Sequence, residues 1–177
     1  MQDSQPGFLS LAVKTAVCHT ITYFVMGAIA FNLFHYAELI ASPCSGMKPL
    51  SDPLVKAGPL LQPLRGVLFA TVFYPLRSFL FGRKYGWLLM SWILVGVGIL
   101  GTFAAPAGSL EGFIYSTTPV WMQLRSYLEI VTQAVLLSAL LCYWVNNPGR
   151  KWLSWVLGIV FCLLMSLSAM ALLMPRR

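Results

Sequence analysis

The sequence predicts an all-α integral membrane protein: a five-transmembrane-helix bundle with a proline-rich outer loop, forming a single domain over residues 1–177. Three observations carry that prediction. Hydrophobic residues make up 58% of the chain and charged residues 10%, whereas a soluble domain carries about 25% charged residues; the polar side chains that a water-facing surface needs are missing. Five continuous apolar runs, about residues 11–34, 64–81, 87–105, 120–145 and 152–174, are long enough to cover a hydrocarbon core, which is about 30 Å thick at about 1.5 Å of helix per residue. Trp87, Trp121, Trp144 and Trp152 fall at the ends of these runs, where interfacial aromatic belts sit.

The first run carries Lys14 near its start and Asn32 near its end. Lys14, the apolar core and Ala28-Ile29-Ala30 imitate a leader with its cleavage site, but the segment is expected to be retained as the first membrane helix. The next stretch, about residues 36–63, is long and holds Pro43, Pro49, Pro53, Pro59 and Pro63. Ser51-Asp52-Pro53 reads as a helix start and Gly58-Pro59 as its end, giving a short helix over the outer face. The second run carries an arginine near each end, Arg65 and Arg77, and Pro75 inside it. Proline removes the hydrogen bond to the Thr71 carbonyl, so a bend is expected there. Arg77 is expected to reach outward to the cytoplasmic surface with no further role. The third run is glycine-rich. Asn146-Asn147-Pro148-Gly149 breaks the chain between the fourth and fifth runs. The runs are too long and too uniformly apolar for barrel strands.

Small residues recur at helical spacing: Ser154, Gly158, Cys162 and Ser166 on the fifth run, Ala134, Ser138 and Cys142 on the fourth, Ser91, Gly98, Thr102 and Ala105 on the third. Lipid gives helices no hydrophobic drive to associate, so such faces are expected to be packing seams within the bundle; a homo-oligomer seam is the alternative.

Net charge is +7, but the basic residues sit as pairs beside apolar runs, such as Arg83-Lys84 and Arg150-Lys151. They are topology signals and no nucleic-acid partner is expected. Both short loops should be cytoplasmic, which puts the N-terminus on the cytoplasmic side of a cell membrane; Arg176-Arg177 at the far end conflicts with that orientation. Cys18, Cys44, Cys142 and Cys162 lack metal or redox spacing. His35 and Glu38, three apart, are too few for a metal, and His19 lies about 24 Å of helix from His35, too far to share a haem. No metal or cofactor is expected, and His19 reads as a buried, hydrogen-bonded histidine.

Measured up from the short loops, Asn32, Arg65 and Glu129 fall at about 26–27 Å on three different helices. They are expected to form one polar layer just inside the outer boundary, with Gln133 one turn below Glu129 and His35, Glu111 and Arg125 at the rim. A charge inside lipid needs a partner, so Arg65 is expected to pair with Glu129; Arg125, four residues from Glu129 on the same helix, is the competing partner. No nucleophile elbow, phosphate loop, HExxH or dinucleotide fingerprint appears. The functional expectation is a non-catalytic multi-pass membrane protein that binds a partner subunit, a lipid or a small amphipathic ligand through this outer polar pocket. The alternatives are a small transporter or channel and, with least support, an enzyme acting on a lipid-like substrate.

Overall fold

The computed structural model describes residues 5–33, 48–106 and 108–173. Every regular element among them is helical. The chain runs through α1 (Phe8–Leu33), α2 (Pro53–Ala57), a 3-10 turn (Gly58–Leu61), α3 (Gln62–Phe73), α4 (Arg77–Leu80), α5 (Gly86–Val95), a π-helical turn (Gly96–Leu100), α6 (Leu110–Tyr115), α7 (Val120–Asn146) and α8 (Lys151–Leu173). Three helices, α1, α7 and α8, are long and apolar enough to cross a membrane.

The second and third apolar runs are not single helices. Asp52 caps α2 by accepting from the Leu54 amide at 2.8 Å, with Pro53 in the first turn, where its missing N–H leaves no gap. Gly58-Pro59 does not end the helical path. It begins a 3-10 turn that leads directly into α3, since Pro59 and Pro63 both occupy first-turn positions that need no amide. The helical path therefore starts at Pro53, well before residue 64, and Arg65 lies within it instead of at its outer end.

At the other end Pro75 breaks the helix outright. α3 stops at Phe73, residues 74–76 turn, and α4 resumes for a single turn. Arg77 Nη1 donates to the Tyr74 carbonyl at 2.9 Å, beside the Arg77 backbone amide that bonds the same oxygen at 3.3 Å, and its guanidinium lies 4.2 Å from the Tyr74 ring, which pins the side chain to the turn. Gly82 then turns with φ 74° and its amide donates to Asn146 Oδ1 at 2.8 Å, fastening this corner to the end of α7. In the third run, the glycines convert the last turn to π geometry: Gly101 N bonds Gly96 O at 2.9 Å, and a Cβ on Gly101 would lie 2.8 Å from that oxygen.

α1 packs against α3, α7 and α8, and α5 packs against α7. Leu11, Cys18 and Ile21 of α1, Phe73 of α3 and Leu137 and Leu141 of α7 belong to the core. The threonines on the buried part of α1 bond back to their own helix, as Thr15 Oγ1 does to Leu11 O at 2.7 Å, so they need no outside partner. α3 runs antiparallel to α1. The Tyr74 and Phe8 rings meet edge to face at one end, with centroids 5.4 Å apart, and Gly66 lies against Ala16 so closely that a Cβ there would overlap the Ala16 backbone.

The small-residue faces divide. Ala134, Ser138 and Cys142 are buried, as a packing seam within the bundle requires. On α8 the buried residues are Leu153 and Leu157, while Ser154, Cys162 and Ser166 are exposed. The expectation that this second stripe packs inside the bundle is thus corrected: α8 turns leucines inward, and Ser154 instead accepts a bond from Trp144 Nε1 at 2.9 Å.

Candidate functional site

The path of α3 decides where the site lies. Because α3 descends antiparallel to α1 from Gln62, its first turns stand beside the middle of α1. A cavity of about 370 Å³ opens there between four walls. Each wall contributes a pair of residues four apart, the spacing that places two side chains on one helix face. α1 supplies His19 and Tyr23, α3 supplies Arg65 and Phe69, and α7 supplies Glu129 and Gln133. Leu94 of α5 and Gly98 of the π turn form the fourth wall. Ile99, Ile130 and Leu137 add apolar surface, and Pro106 closes part of the rim.

His19 is 2% exposed. Its Nε2 lies 3.1 Å from Gln62 Oε1, and Gln62 Nε2 donates in turn to Gly58 O at 3.1 Å. The ring stands edge-on to Phe69, with centroids 5.0 Å apart. His19 Nδ1 is a buried nitrogen with no hydrogen-bond partner. Arg65, exposed at the mouth, lies over Phe69 at 5.7 Å, with its charge held against a ring face. Glu129 is half-buried on the facing helix.

Of the residues predicted from sequence, Arg65, Glu129 and Gln133 come together here. Three others do not. Asn32 lies beyond Tyr23 on α1, and its Nδ2 donates to Ala28 O at 2.7 Å on its own helix. Glu111 is exposed in the first turn of α6, and Arg125 is half-buried one turn above Glu129; neither lines the cavity. His35 and Glu38 lie outside the described residues. α3 packs antiparallel on α1, with Tyr74 beside Phe8 and Gly66 beside Ala16, so Arg65 meets His19 and Tyr23, not Asn32. A common inner boundary through Lys14, Arg83 and Asn146 does not hold, because α1 begins at Phe8, before Lys14, and the second segment breaks at residues 74–76. The expected ion pair between Arg65 and Glu129 is not formed within 4.0 Å, whereas Lys48 and Asp52 pair on the surface at 3.7 Å. Arg65 and Glu129 share the cavity without touching.

His19, Tyr23 and Phe69 were missed as site residues. Their signal was present in the spacing: a histidine and a tyrosine four apart, in the middle of an apolar run, put two polar groups on one membrane-facing or bundle-facing stripe.

The loop above the cavity has its own fixed structure. Gln123, 1% exposed, accepts from Gly108 N at 3.0 Å and donates to Thr118 O at 2.8 Å. Tyr127 OH donates to Gly108 O. Ser109 caps α6 by accepting from Gly112 N at 2.8 Å and donates to Pro106 O at 2.9 Å, which holds Pro106 at the rim. Among the described residues no three His, Cys, Asp or Glu side chains gather as a metal site. No protein-family model, curated protein or solved structure matches the chain.

Proposed function

We propose that the protein is a non-catalytic, multi-pass membrane protein whose cavity binds a small amphipathic ligand. In this reading all five apolar segments lie in the bilayer of a cell membrane, with the N-terminus cytoplasmic. α1, α7 and α8 cross it fully, the broken second and third segments complete the bundle, and the outward face of α8 meets lipid or a partner subunit. One observation carries the reading. Arg65 and Glu129, opposite in charge, face a common cavity with no ion pair between them, beside a histidine with an unsatisfied nitrogen. Ionisable groups inside a membrane segment are costly and are retained for a use. A purely structural pair would close to contact distance; charges held apart across a space of ligand size leave room for a third group between them. The apolar surface of Ile99, Ile130 and Leu137 suits the remainder of an amphipathic molecule.

The volume limits the ligand. Small-molecule sites span about 300–1,000 Å³, so this one takes a headgroup or a small amphiphile and not a whole phospholipid. Native mass spectrometry after mild extraction tests the reading: the protein should carry a defined small molecule or lipid, and Arg65→Ala should lose it. Wild-type protein that is always bare would refute it.

Transport of the same ligand is a second reading, favoured by one feature. Two of the four walls are discontinuous helices, α3 at its 3-10 junction and α5 at its π turn, and transporters place their sites at such breaks. Ligand flux in proteoliposomes separates transport from simple binding.

A further inference from the structure

The cavity is lined by a cation and a carboxyl that form no ion pair with each other, and that division specifies a ligand. The histidine comes first. Gln62 Nε2 donates to Gly58 O, so the amide turns its oxygen toward His19 Nε2. An oxygen there can only accept, which places the ring proton on Nε2 and leaves Nδ1 as a bare lone pair. Among the described residues it is the one buried side-chain nitrogen or oxygen without a partner, and its residue lines the cavity. The other polar groups of the lining are Tyr23 and Gln133, each able to donate or accept, the carboxyl Glu129, and the cation Arg65 at the mouth. A ligand that completes this set brings N–H donors to His19 Nδ1 and Glu129 and an anion to Arg65.

We infer that the cavity selects a zwitterionic headgroup bearing a primary ammonium, of the phosphoethanolamine type. The ammonium donates to His19 Nδ1 and Glu129, and the phosphate meets Arg65, whose planar fork suits it. Any attached chain lies along Ile99 and Ile130. The inference rests on the reading of the cavity as a ligand site and adds its chemistry. Its specificity is a matter of hydrogen bonds. A choline headgroup carries the same charge but no N–H, so it would leave His19 Nδ1 buried and unpaired, and sites built around a hydrogen bond reject analogues that lack it. The same headgroup chemistry is available from a membrane lipid or from the free compound.

The test uses the full chain in mild detergent, stripped of lipid and offered equal amounts of phosphatidylethanolamine and phosphatidylcholine with identical acyl chains. Native mass spectrometry reads the two adducts. The expected ratio is about tenfold or more in favour of the ethanolamine lipid, the effect of one hydrogen bond from a charged donor. His19→Phe removes the bare acceptor and should bring the ratio to about one. If that variant does not fold, Glu129→Gln, at a half-buried position, should lower the ethanolamine adduct by about tenfold. Equal binding of both lipids by wild type overturns the inference but leaves the ligand site standing. A preference that survives in the folded variants overturns it too. Protein that holds neither lipid nor any other amphiphile overturns both readings. Excess free phosphoethanolamine that displaces the lipid shows that the headgroup alone suffices; an undiminished ethanolamine-lipid adduct assigns the intact lipid as the source.

Discussion

Gly66→Ala should loosen the whole site from a distance, because Gly66 sets how closely α3 approaches α1. An added Cβ would lie 2.9 Å from Ala16 N and 3.0 Å from Thr15 O and would overlap Ala16 Cα. All three are backbone atoms, so no side chain can turn aside. Carbon atoms rest at about 3.5–4.0 Å, so the two helices must separate by about 1 Å or more. Overpacking of this kind costs about 1–3 kcal/mol. In a chain of this length that corresponds to a fall in Tm of about 2–10 °C. The same displacement lengthens the His19–Gln62 bond, which stands one turn away at 3.1 Å, so ligand affinity should fall with stability. The assay is thermal unfolding in detergent, with ligand retention read in parallel. Gly158→Ala is the control: nothing lies within 4 Å of a Cβ there, and that change should leave Tm unmoved or slightly raised. A Gly66→Ala protein with the Tm and ligand occupancy of the control would refute the close-approach argument.

Gly98→Leu should fill the cavity from its fourth wall, since a Cβ at Gly98 meets nothing within 4 Å; native mass spectrometry should show the ligand lost while Tm holds. Gln123→Leu should release the loop that carries Pro106, because it removes the partner of the buried Gly108 amide; about 1–3 kcal/mol of stability should be lost, read as faster proteolysis between α5 and α7. Arg77→Ala should lower Tm modestly, by the roughly 1 kcal/mol that one hydrogen bond to the broken helix contributes, with partial recovery in Arg77→Lys. Asp52→Ala removes the cap of α2 at an exposed site and should cost about 1 kcal/mol without changing ligand retention.

The helical class and the apolar segments were legible because composition and run length speak for the whole chain. The fourth and fifth runs coincide closely with α7 and α8; no proline or glycine lies inside α7, and α8 carries Gly158 alone without a break in the helix. The second and third runs were harder. Pro75 and the glycines 96, 98 and 101 announce trouble in a helix, but whether a chain bends, breaks or widens there is settled by what receives the freed carbonyls. Here the amides of Leu76 and Arg77 take the Phe73 and Tyr74 carbonyls as the chain turns, and a π turn spans the glycines. Gly58-Pro59 misled for a related reason. The pair usually ends a helix, yet a 3-10 turn tolerates it and carries the helical path onward.

That local detail governs the site. Depth estimated from a constant rise places Arg65 at the outer rim beside Asn32, where an arginine can reach water and needs no explanation beyond its length. The actual path sets it beside His19 and Tyr23, facing Glu129 and Gln133. At the rim, an Arg–Glu contact would have been a register device. Across a cavity, with Arg65 held on Phe69 and Glu129 on the opposite wall, the same two residues leave their attraction unspent on each other. The half-buried Glu129 and the bare His19 nitrogen then present acceptors on one side, and Arg65 a cation on the other. On the proposed reading, one molecule that is itself divided, with donors at one end and negative charge at the other, satisfies both sides together.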